Sequence, residues 1–318
     1  MTKLRFAVSL VDSANDYQRA QAAAADEAAR RLGVEVQILF AGGDAIEQSQ
    51  QLSAAIQSKT TSVNGIVLQP VGTGMQQLAR AAAAAEIGWV VMHKDVDYIA
   101  DLRRTCKSPA FMLSSDHIEE GRIQGKQIAA LLPEGGTVLG IVGPATDSIS
   151  EQRLKGLKST MPRNSRLLTV RGKWTEQSGY EAVAAWLRLS TSKQEPIALV
   201  ACQNDFMAVG AKKAFDEIAT GDTKERLMRV PIIGCDGLPN SGQLWVKQGL
   251  LTATVVLPVL AGTAIDMLAT AIRNNAQPKE LTVIDAVSYP PIDQLKPVAE
   301  PLRASGKSVL HPQSRQWS

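Results

Sequence analysis

The chain has 318 residues, of which 45% are hydrophobic, 20% charged and 4% aromatic, values typical of a folded globular protein rather than a disordered, collagen-like or coiled-coil chain. At about 150 residues per domain, this length predicts two domains. The 34 Lys and Arg residues exceed the 31 Asp and Glu residues by only three and form no basic cluster, so the sequence does not predict a nucleic-acid partner.

Short apolar runs rich in Val, Ile and Leu alternate with segments of helical periodicity, which is the pattern of parallel strands joined by crossover helices. The first series predicts strands at residues 4–10, 35–40, 65–68, 89–92 and 111–114, and helices near 17–32, 45–59 and 74–86. The second series, after Ser115, predicts strands at 137–142, 167–170, 197–202 and 231–234, and helices near 118–132, 148–160, 177–190 and 206–220. Two such series predict an α/β protein with two doubly wound parallel-sheet lobes.

The most apolar stretch, residues 250–272, is long enough to span a bilayer but contains Asp266. Because an Asp in mid-span is costly in lipid, we predict a strand followed by a helix there, in a chain that is not embedded in a membrane. After Lys3 and Arg5, acidic residues interrupt any hydrophobic region of a signal peptide, so the chain is either cytoplasmic or processed. The proline-rich segment after Tyr289 is predicted to wrap one lobe.

Motifs of metal, cofactor and enzyme sites are missing from the sequence. The spacing of its cysteines and histidines predicts neither a disulfide framework nor a metal site: Cys106, Cys202, Cys235, His93, His117 and His311. Residues 121–126 read G-x-x-x-G-K but lack the Ser or Thr of a phosphate-binding loop, so they are predicted to lie inside a helix. No dinucleotide-binding or nucleophile-elbow motif is present, and no cofactor is predicted.

Hydrogen-bonding side chains follow many of the predicted strands. They are Asp12 and Asn15, Gln69, His93 and Lys94, Ser115 and Asp116, Asn204 and Asp205, and Asp236. Ligands of open parallel sheets bind beyond the carboxyl ends of the strands. A cleft between two such lobes would therefore be rich in groups that donate to and accept from vicinal hydroxyls.

Three segments together resemble the sugar-binding branch of the type I periplasmic binding proteins, typified by the ribose- and galactose-binding proteins. They are residues 203–210 (QNDFMAVG), residues 233–237 (IGCDG) and residues 153–156 (RLKG). The resemblance extends from about residue 4 to residue 292. It implies two lobes joined by three short crossovers, near Ser115, Val256 and residues 285–289. The lobes would comprise residues 1–115 with about 257–286, and residues 116–256 with about 287–318.

The resemblance also implies that Arg153, Asn204 and Asp236 hydrogen-bond sugar hydroxyls, and that Trp174 stacks on the sugar ring. In the first lobe, it places Asp12, Asn15, Tyr17, Gln69, His93, Lys94 and Ser115 at the ligand. Structural roles are the alternatives: a surface helix position for Arg153, an N-cap for Asn204, a turn or cap for Asp236 and core packing for Trp174.

Two departures from the family pattern concern the ligand. In residues 12–17, where the family often has Asn followed by a pair of aromatic residues, only Tyr17 is aromatic, and His93-Lys94 replaces the Asp-Arg pair of ribose-like members. The pocket is therefore not expected to be that of a ribose binder. His93 and Lys94, beside Arg153, would add positive charge suited to a sugar acid. Alternatively, Lys94 points to solvent, His93 packs at the strand end, and nearby acidic residues balance the charge.

The resemblance implies a non-enzymatic solute-binding protein of an ABC-type importer, a periplasmic monomer that binds a monosaccharide, polyol or sugar acid and docks on a permease. The alternatives are the effector-binding domain of a lactose-repressor-like transcription factor and a sugar sensor that presents its ligand to a kinase. A repressor would carry an N-terminal helix-turn-helix, whereas this chain begins at the first predicted strand. A hydrolase is a further alternative, because Asp12, Asp205 and Asp236 are carboxylates suited to acid–base catalysis.

Overall fold

The computed structural model describes residues 3–189 and 196–298 and contains two six-stranded sheets. The strands of the first sheet are β1 (Arg5–Leu10), β2 (Glu35–Phe40), β3 (Gly65–Leu68), β4 (Gly88–Met92), β5 (Ala110–Ser114) and β11 (Leu281–Val283). They lie in the order β11-β5-β4-β3-β1-β2, and all neighbours are parallel.

The second sheet repeats this arrangement. Its strands are β6 (Thr137–Val142), β7 (Arg166–Arg171), β8 (Ile197–Cys202), β9 (Ile232–Asp236), β10 (Ala253–Val256) and β12 (Val287–Tyr289). They lie in the order β12-β10-β9-β8-β6-β7, with β12 antiparallel to β10 and the other neighbours parallel. The predicted fold class is confirmed, with one antiparallel edge strand in the second sheet.

Helices cover both faces of each sheet. Those of the first lobe are α1 (Asp16–Leu32), α2 (Ala45–Gln57), α3 (Gln76–Ala84), α4 (Ile99–Thr105) and α11 (Ala261–Arg273). Those of the second lobe are α5 (His117–Leu131), α6 (Ser148–Thr160), α7 (Glu176–Leu187), α8 (Asp205–Ile218), α9 (Gly221–Met228) and α10 (Gly242–Lys247). Because successive strand residues point to opposite faces, Val8 packs under α1 and α11 while Ala7 belongs to the core on the other face.

The sequence did not predict α4, α9 and α10, which have seven, eight and six residues. Such short helices contain too few apolar positions to display a helical period, and packing holds them instead. Ile99 and Leu102 of α4, for example, are buried in the first lobe. The prediction for residues 250–272 is confirmed, since they form β10 and α11.

Three segments connect the two sheets: residues 115–116, 257–260 and 284–286. On this basis we propose the lobe boundaries expected from the sequence, 1–115 with 257–286 and 116–256 with 287 onward. Residues 292–298 lie against the second lobe, where the Val298 N–H donates to the Leu131 carbonyl at 2.9 Å. Residues 299–318 of the predicted wrapping segment lie outside the described residues.

Helices α5 and α6 approach each other to backbone contact at two glycines. A Cβ atom on Gly121 would lie 2.0 Å from the Arg153 carbonyl oxygen, and one on Gly156 would lie 1.9 Å from the Ile118 carbonyl oxygen. The G-x-x-x-G-K segment is thus a helix interior, as predicted, and its first glycine permits this crossing.

We expect Gly156→Ala to lower the free energy of unfolding by about 1–3 kcal/mol, because the added methyl group would collide with backbone that must shift. Urea denaturation measures the loss. Gly74→Ala is the matched control, since no atom lies within 4 Å of a Cβ there. Equal stability of the two variants would contradict the close crossing of α5 and α6.

Candidate functional site

A cavity of about 530 Å³ lies between the lobes, at the carboxyl ends of the parallel strands. Both lobes place the order-reversing strand, β1 or β6, beside it, which is where ligands of doubly wound sheets bind. Ten of the eleven residues proposed from the sequence line the cavity: Asp12, Asn15, Tyr17, Gln69, His93, Lys94, Arg153, Trp174, Asn204 and Asp236.

Asp12 and Asn15 shape the turn between β1 and α1. An Asp12 carboxylate oxygen accepts hydrogen bonds from the N–H groups of Ala14 and Asn15, both at 2.9 Å. Asn15 is the N-cap of α1, because its side-chain oxygen accepts from the Tyr17 N–H at 2.8 Å. Asn15 Nδ2 donates across the cleft to the Trp174 carbonyl at 3.3 Å. Asn15 therefore serves both the local turn and a contact between the lobes.

Gln69 follows β3 and is held by two other glutamines. Gln18 Nε2 donates to Gln69 Oε1 at 2.9 Å, and Gln48 Nε2 donates to the Gln69 carbonyl at 2.9 Å. No residue in the described part of the chain accepts a hydrogen bond from Gln69 Nε2. Gln69 therefore contributes a free donor to the cavity lining.

Arg153, on α6, belongs to a buried ion network at the cavity. Its Nε donates to the Glu120 carboxylate at 2.6 Å, and its Nη1 donates to the Gln203 carbonyl at 2.8 Å. Burial alone would raise the pKa of Glu120, but the charge of Arg153 and the hydrogen bond from His117 outweigh it and lower the pKa well below its ordinary value. Glu120 thus stays ionised and balances Arg153. No acceptor for Arg153 Nη2 is found among residues 3–189 and 196–298.

His117 and Ser115 complete the hydrogen bonding of Glu120. His117 Nδ1 lies 3.0 Å from one carboxylate oxygen, and the Ser115 hydroxyl donates to the other. His117 Nε2 donates to the His93 carbonyl at 2.7 Å, so both ring nitrogens face oxygen acceptors. Ser115 does not line the cavity, in contrast to its proposed role, because its hydroxyl is turned to Glu120.

Trp174 and Asn204 support each other at the second-lobe wall. Asn204 is the N-cap of α8, since its side-chain oxygen accepts from the Met207 N–H at 2.9 Å, and its Nδ2 donates to the Trp174 carbonyl at 2.8 Å. The capping alternative is thus present, although Asn204 also lines the cavity. The guanidinium carbon of Arg153 lies 5.8 Å from the centroid of the Trp174 ring. The indole also lies so close to Gly143 that a Cβ atom on Gly143 would be 2.1 Å from it.

Asp236 ends β9 and is 6% exposed, yet no described residue donates a hydrogen bond to its carboxylate. Asp205, only 1% exposed, accepts from the Thr254 hydroxyl at 2.7 Å and from the Gly237 N–H at 2.8 Å. Burial and the negative charge of Asp205 raise the pKa of Asp236 well above its ordinary value. The two carboxylates therefore differ: Asp205 holds the loop after β9, whereas Asp236 is left to the cavity.

The buried position of His93 disfavours a positive charge on its ring, so the prediction that it contributes charge to an anion site is not supported. Burial, reinforced by the nearby charge of His117, lowers the pKa of His93 from 6.5 to about 3. Lys94 forms no ion pair with any described residue, including its neighbours Asp95 and Asp97, and it lines the cavity from the first lobe.

Backbone strain is concentrated at the cavity. Five non-glycine residues among those described have positive φ, and three of them line the cavity: His93 at 63°, Trp174 at 67° and Asp236 at 112°. Such conformations cost on the order of 1–3 kcal/mol each and persist where the surrounding structure holds them. Their clustering supports a functional site here.

The sequence did not single out several residues that the structure brings to the site. His117, Asp147, Lys173 and Gln18 line the cavity, and Glu120 lies beneath it. Glu120 follows His117 by three residues on one face of α5, a signal that helical spacing contained. Within the described ranges, no group of three His, Cys, Asp or Glu side chains is arranged to hold a metal ion.

The family model for the periplasmic binding protein domain matches residues 6–276. The chain belongs to this family. Its members are binding proteins rather than enzymes. This agrees with the different roles of the two carboxylic acids, since Asp205 holds the loop after β9 and Asp236 lines the cavity.

The relatives are similar over most of the chain. The galactofuranose-binding protein YtfQ of Escherichia coli K12 is 23% identical over 288 residues, which are 89% of this chain and 86% of YtfQ. A Shewanella sp. ANA-3 arabinose-transporter component with bound arabinofuranose has a TM-score of 0.75 at 21% identity, covering 91% of this chain and 93% of its own. A Bacillus halodurans transporter protein with bound myo-inositol has a TM-score of 0.74 at 20% identity, covering 90% and 94%.

The helices of this family member show no membrane-spanning character. Across residues 3–189 and 196–298, none is both long and apolar enough to cross a bilayer. Helix α11 belongs to the most apolar stretch of the sequence, which is long enough to span a bilayer. Its buried residues pack into the core of the first lobe.

We expect Glu120→Gln to lower the free energy of unfolding by about 3 kcal/mol or more, because it leaves the buried Arg153 without its counter-charge. Urea denaturation at neutral pH measures the effect. The neighbouring Glu119→Gln is the control, since Glu119 pairs with Arg122 and Lys126 at the surface, where such pairs contribute about 1 kcal/mol or less. If the two variants lose equal stability, the ion network does not hold the site together.

We expect His93→Asn to change how stability depends on pH. Between pH 6.5 and about 3 the unfolded state binds a proton at His93 that the folded state does not, so the wild type loses stability as the pH falls through this window. The variant lacks this contribution, and the difference in free energy of unfolding between the two proteins should shrink or reverse on acidification. A difference that stays constant across the window would show that His93 is protonated when folded.

Proposed function

We propose that this protein is the solute-binding component of an ABC-type importer and binds a sugar or polyol between its lobes without converting it. One observation carries the proposal: polar atoms that have no partner among the described residues converge on a cavity between two lobes. Within residues 3–189 and 196–298, no partner is found for the donors Gln69 Nε2 and Arg153 Nη2 or for the side-chain oxygens of Asp236. Mixed donors and acceptors beside the Trp174 ring match the hydroxyls and apolar face of a sugar.

The charges around the cavity favour a neutral ligand over a sugar acid. Of the basic side chains that line the cavity, Lys94 and Lys173 are matched in number by the carboxylates of Asp12 and Asp147. Arg153, moreover, is already balanced by Glu120. With His93 uncharged, no excess of positive charge remains to select an anion.

The relatives support the same ligand class. YtfQ is named for galactofuranose, and the two structural neighbours hold arabinofuranose and myo-inositol, so a furanose and a cyclitol both fit the proposal. By the same reasoning we propose a periplasmic location, a monomeric state and an ABC permease as the partner.

We expect one or more neutral members of a panel to raise the melting temperature: D-galactose, L-arabinose, D-allose, D-fructose and myo-inositol. A ligand that binds only the folded state adds about 2.7 kcal/mol at 100 times its Kd. Chromatography after incubation should recover the ligand unchanged. Absence of any shift across neutral sugars, polyols and sugar acids, or the appearance of a product, would contradict the proposal.

The ligands that raise the melting temperature are then measured against the variant Asp236→Asn. This substitution keeps the side-chain size and tolerates positive φ but removes the carboxyl group. Calorimetric affinity should fall about ten- to a hundredfold, since one hydrogen-bonding partner is worth about 1–3 kcal/mol. The unliganded variant should be no less stable, because repulsion from Asp205 disappears. Asn204→Ala is the contrasting control, expected to destabilise the unliganded protein by about 1 kcal/mol through loss of the α8 cap.

A further inference from the structure

The carbonyl and ring Nε2 of His93 contact groups whose hydrogen-bonding roles are known. Its carbonyl accepts from His117 Nε2 at 2.7 Å, and its ring stacks near His117, with centroids 6.2 Å apart, and meets Tyr17 edge-on at 5.7 Å. Ring Nε2 lies 3.1 Å from Gln21 Nε2 and 3.4 Å from the Tyr17 hydroxyl. Which of its nitrogens carries the hydrogen therefore follows from these neighbours.

The orientation of the Gln21 side-chain amide, set by a main-chain contact, determines which His93 nitrogen carries the hydrogen. The Ala261 N–H donates to Gln21 Oε1 at 2.8 Å, and a main-chain N–H can only donate, so the oxygen end of the Gln21 amide must face Ala261. The amide nitrogen then faces His93 and donates to it, which requires His93 Nε2 to be unprotonated.

The Tyr17 hydroxyl does not alter this assignment. Its single hydrogen is donated to the Pro258 carbonyl at 2.6 Å, the shorter of its two contacts. His93 Nε2 therefore has one donor, Gln21, and the neutral ring holds its hydrogen on Nδ1. None of the described residues accepts a hydrogen bond from Nδ1, and the ring lines the cavity.

We propose that His93 is a specificity-determining residue that donates the hydrogen on Nδ1 to the bound ligand. The ligand must then place an oxygen acceptor at this position, such as a hydroxyl, ring or carbonyl oxygen. An ammonium group, which only donates, is rejected there, so the site excludes the analogue aminated at that position. This inference rests on the proposed function, because it assumes that the sugar occupies this cavity.

Nitrogen NMR of the free protein labelled with ¹⁵N-histidine tests the tautomer without any ligand. The His93 signals, assigned by their absence from His93→Asn, should show hydrogen on Nδ1 and a bare Nε2. Hydrogen on Nε2, or on both nitrogens at neutral pH, would overturn the inference. Since this measurement needs no ligand, it stands even if the sugar panel fails and the proposed function with it.

Calorimetry with L-arabinose, D-galactose and myo-inositol then compares two variants of equal size. The amide of His93→Asn can donate from the position of Nδ1, whereas the carboxylate of His93→Asp can only accept. We expect the Asp variant to bind at least about tenfold more weakly than the Asn variant, the loss of one hydrogen bond. Equal affinities, or tighter binding by a folded Asp variant, would show that the ligand donates to this position and would overturn the inference.

Discussion

A guanidinium group cannot be buried without a counter-charge, and the carboxylate that balances Arg153 belongs to the neighbouring helix rather than to the cavity. Helices α5 and α6 must therefore approach closely enough for Glu120 to reach Arg153, which Gly121 and Gly156 permit. Glu120 is in turn completed by residues at the first crossover between the lobes, namely Ser115 and His117. The ion network thus joins α5, α6 and the first crossover, and among the described residues it leaves Arg153 Nη2 without an acceptor.

The cavity and the crossovers share residues. Tyr17 lines the cavity and donates to the Pro258 carbonyl, and Gln21 joins His93 to the Ala261 N–H at the end of the same crossover. Across the cleft, Asn15 donates to the Trp174 carbonyl and the Ser241 hydroxyl donates to Asp16 at 2.5 Å. Because two packed lobes move chiefly at their connections, a ligand in this cavity would contact residues that are hydrogen-bonded to those connections.

The acidic residues of the second lobe are arranged for binding rather than for acid–base chemistry. Asp205 is saturated by Thr254 and by the main chain near β9, so it is occupied in holding the loop that carries Asp236. The side chain of Asp236 has no hydrogen-bond partner in the described part of the chain, and the residue has a positive φ and lines the cavity. A single free carboxylate among amide and guanidinium donors suits a polyhydroxylated ligand.

The two lobes could be predicted from the sequence, because the alternation of apolar strands with helical periods is a local property. Residues that follow parallel strands, such as Asp12, Gln69 and Asn204, could be placed at the cavity by topology, whereas Arg153 and Trp174 were expected from the family resemblance. The roles of these residues depend on tertiary contacts. His93 is neutral because of burial and of His117 on another element, and Ser115 is turned away by Glu120. Charge state and hydrogen-bond direction depend on neighbours far apart in the chain, such as Gln21 and Ala261, whose contact no local pattern encodes.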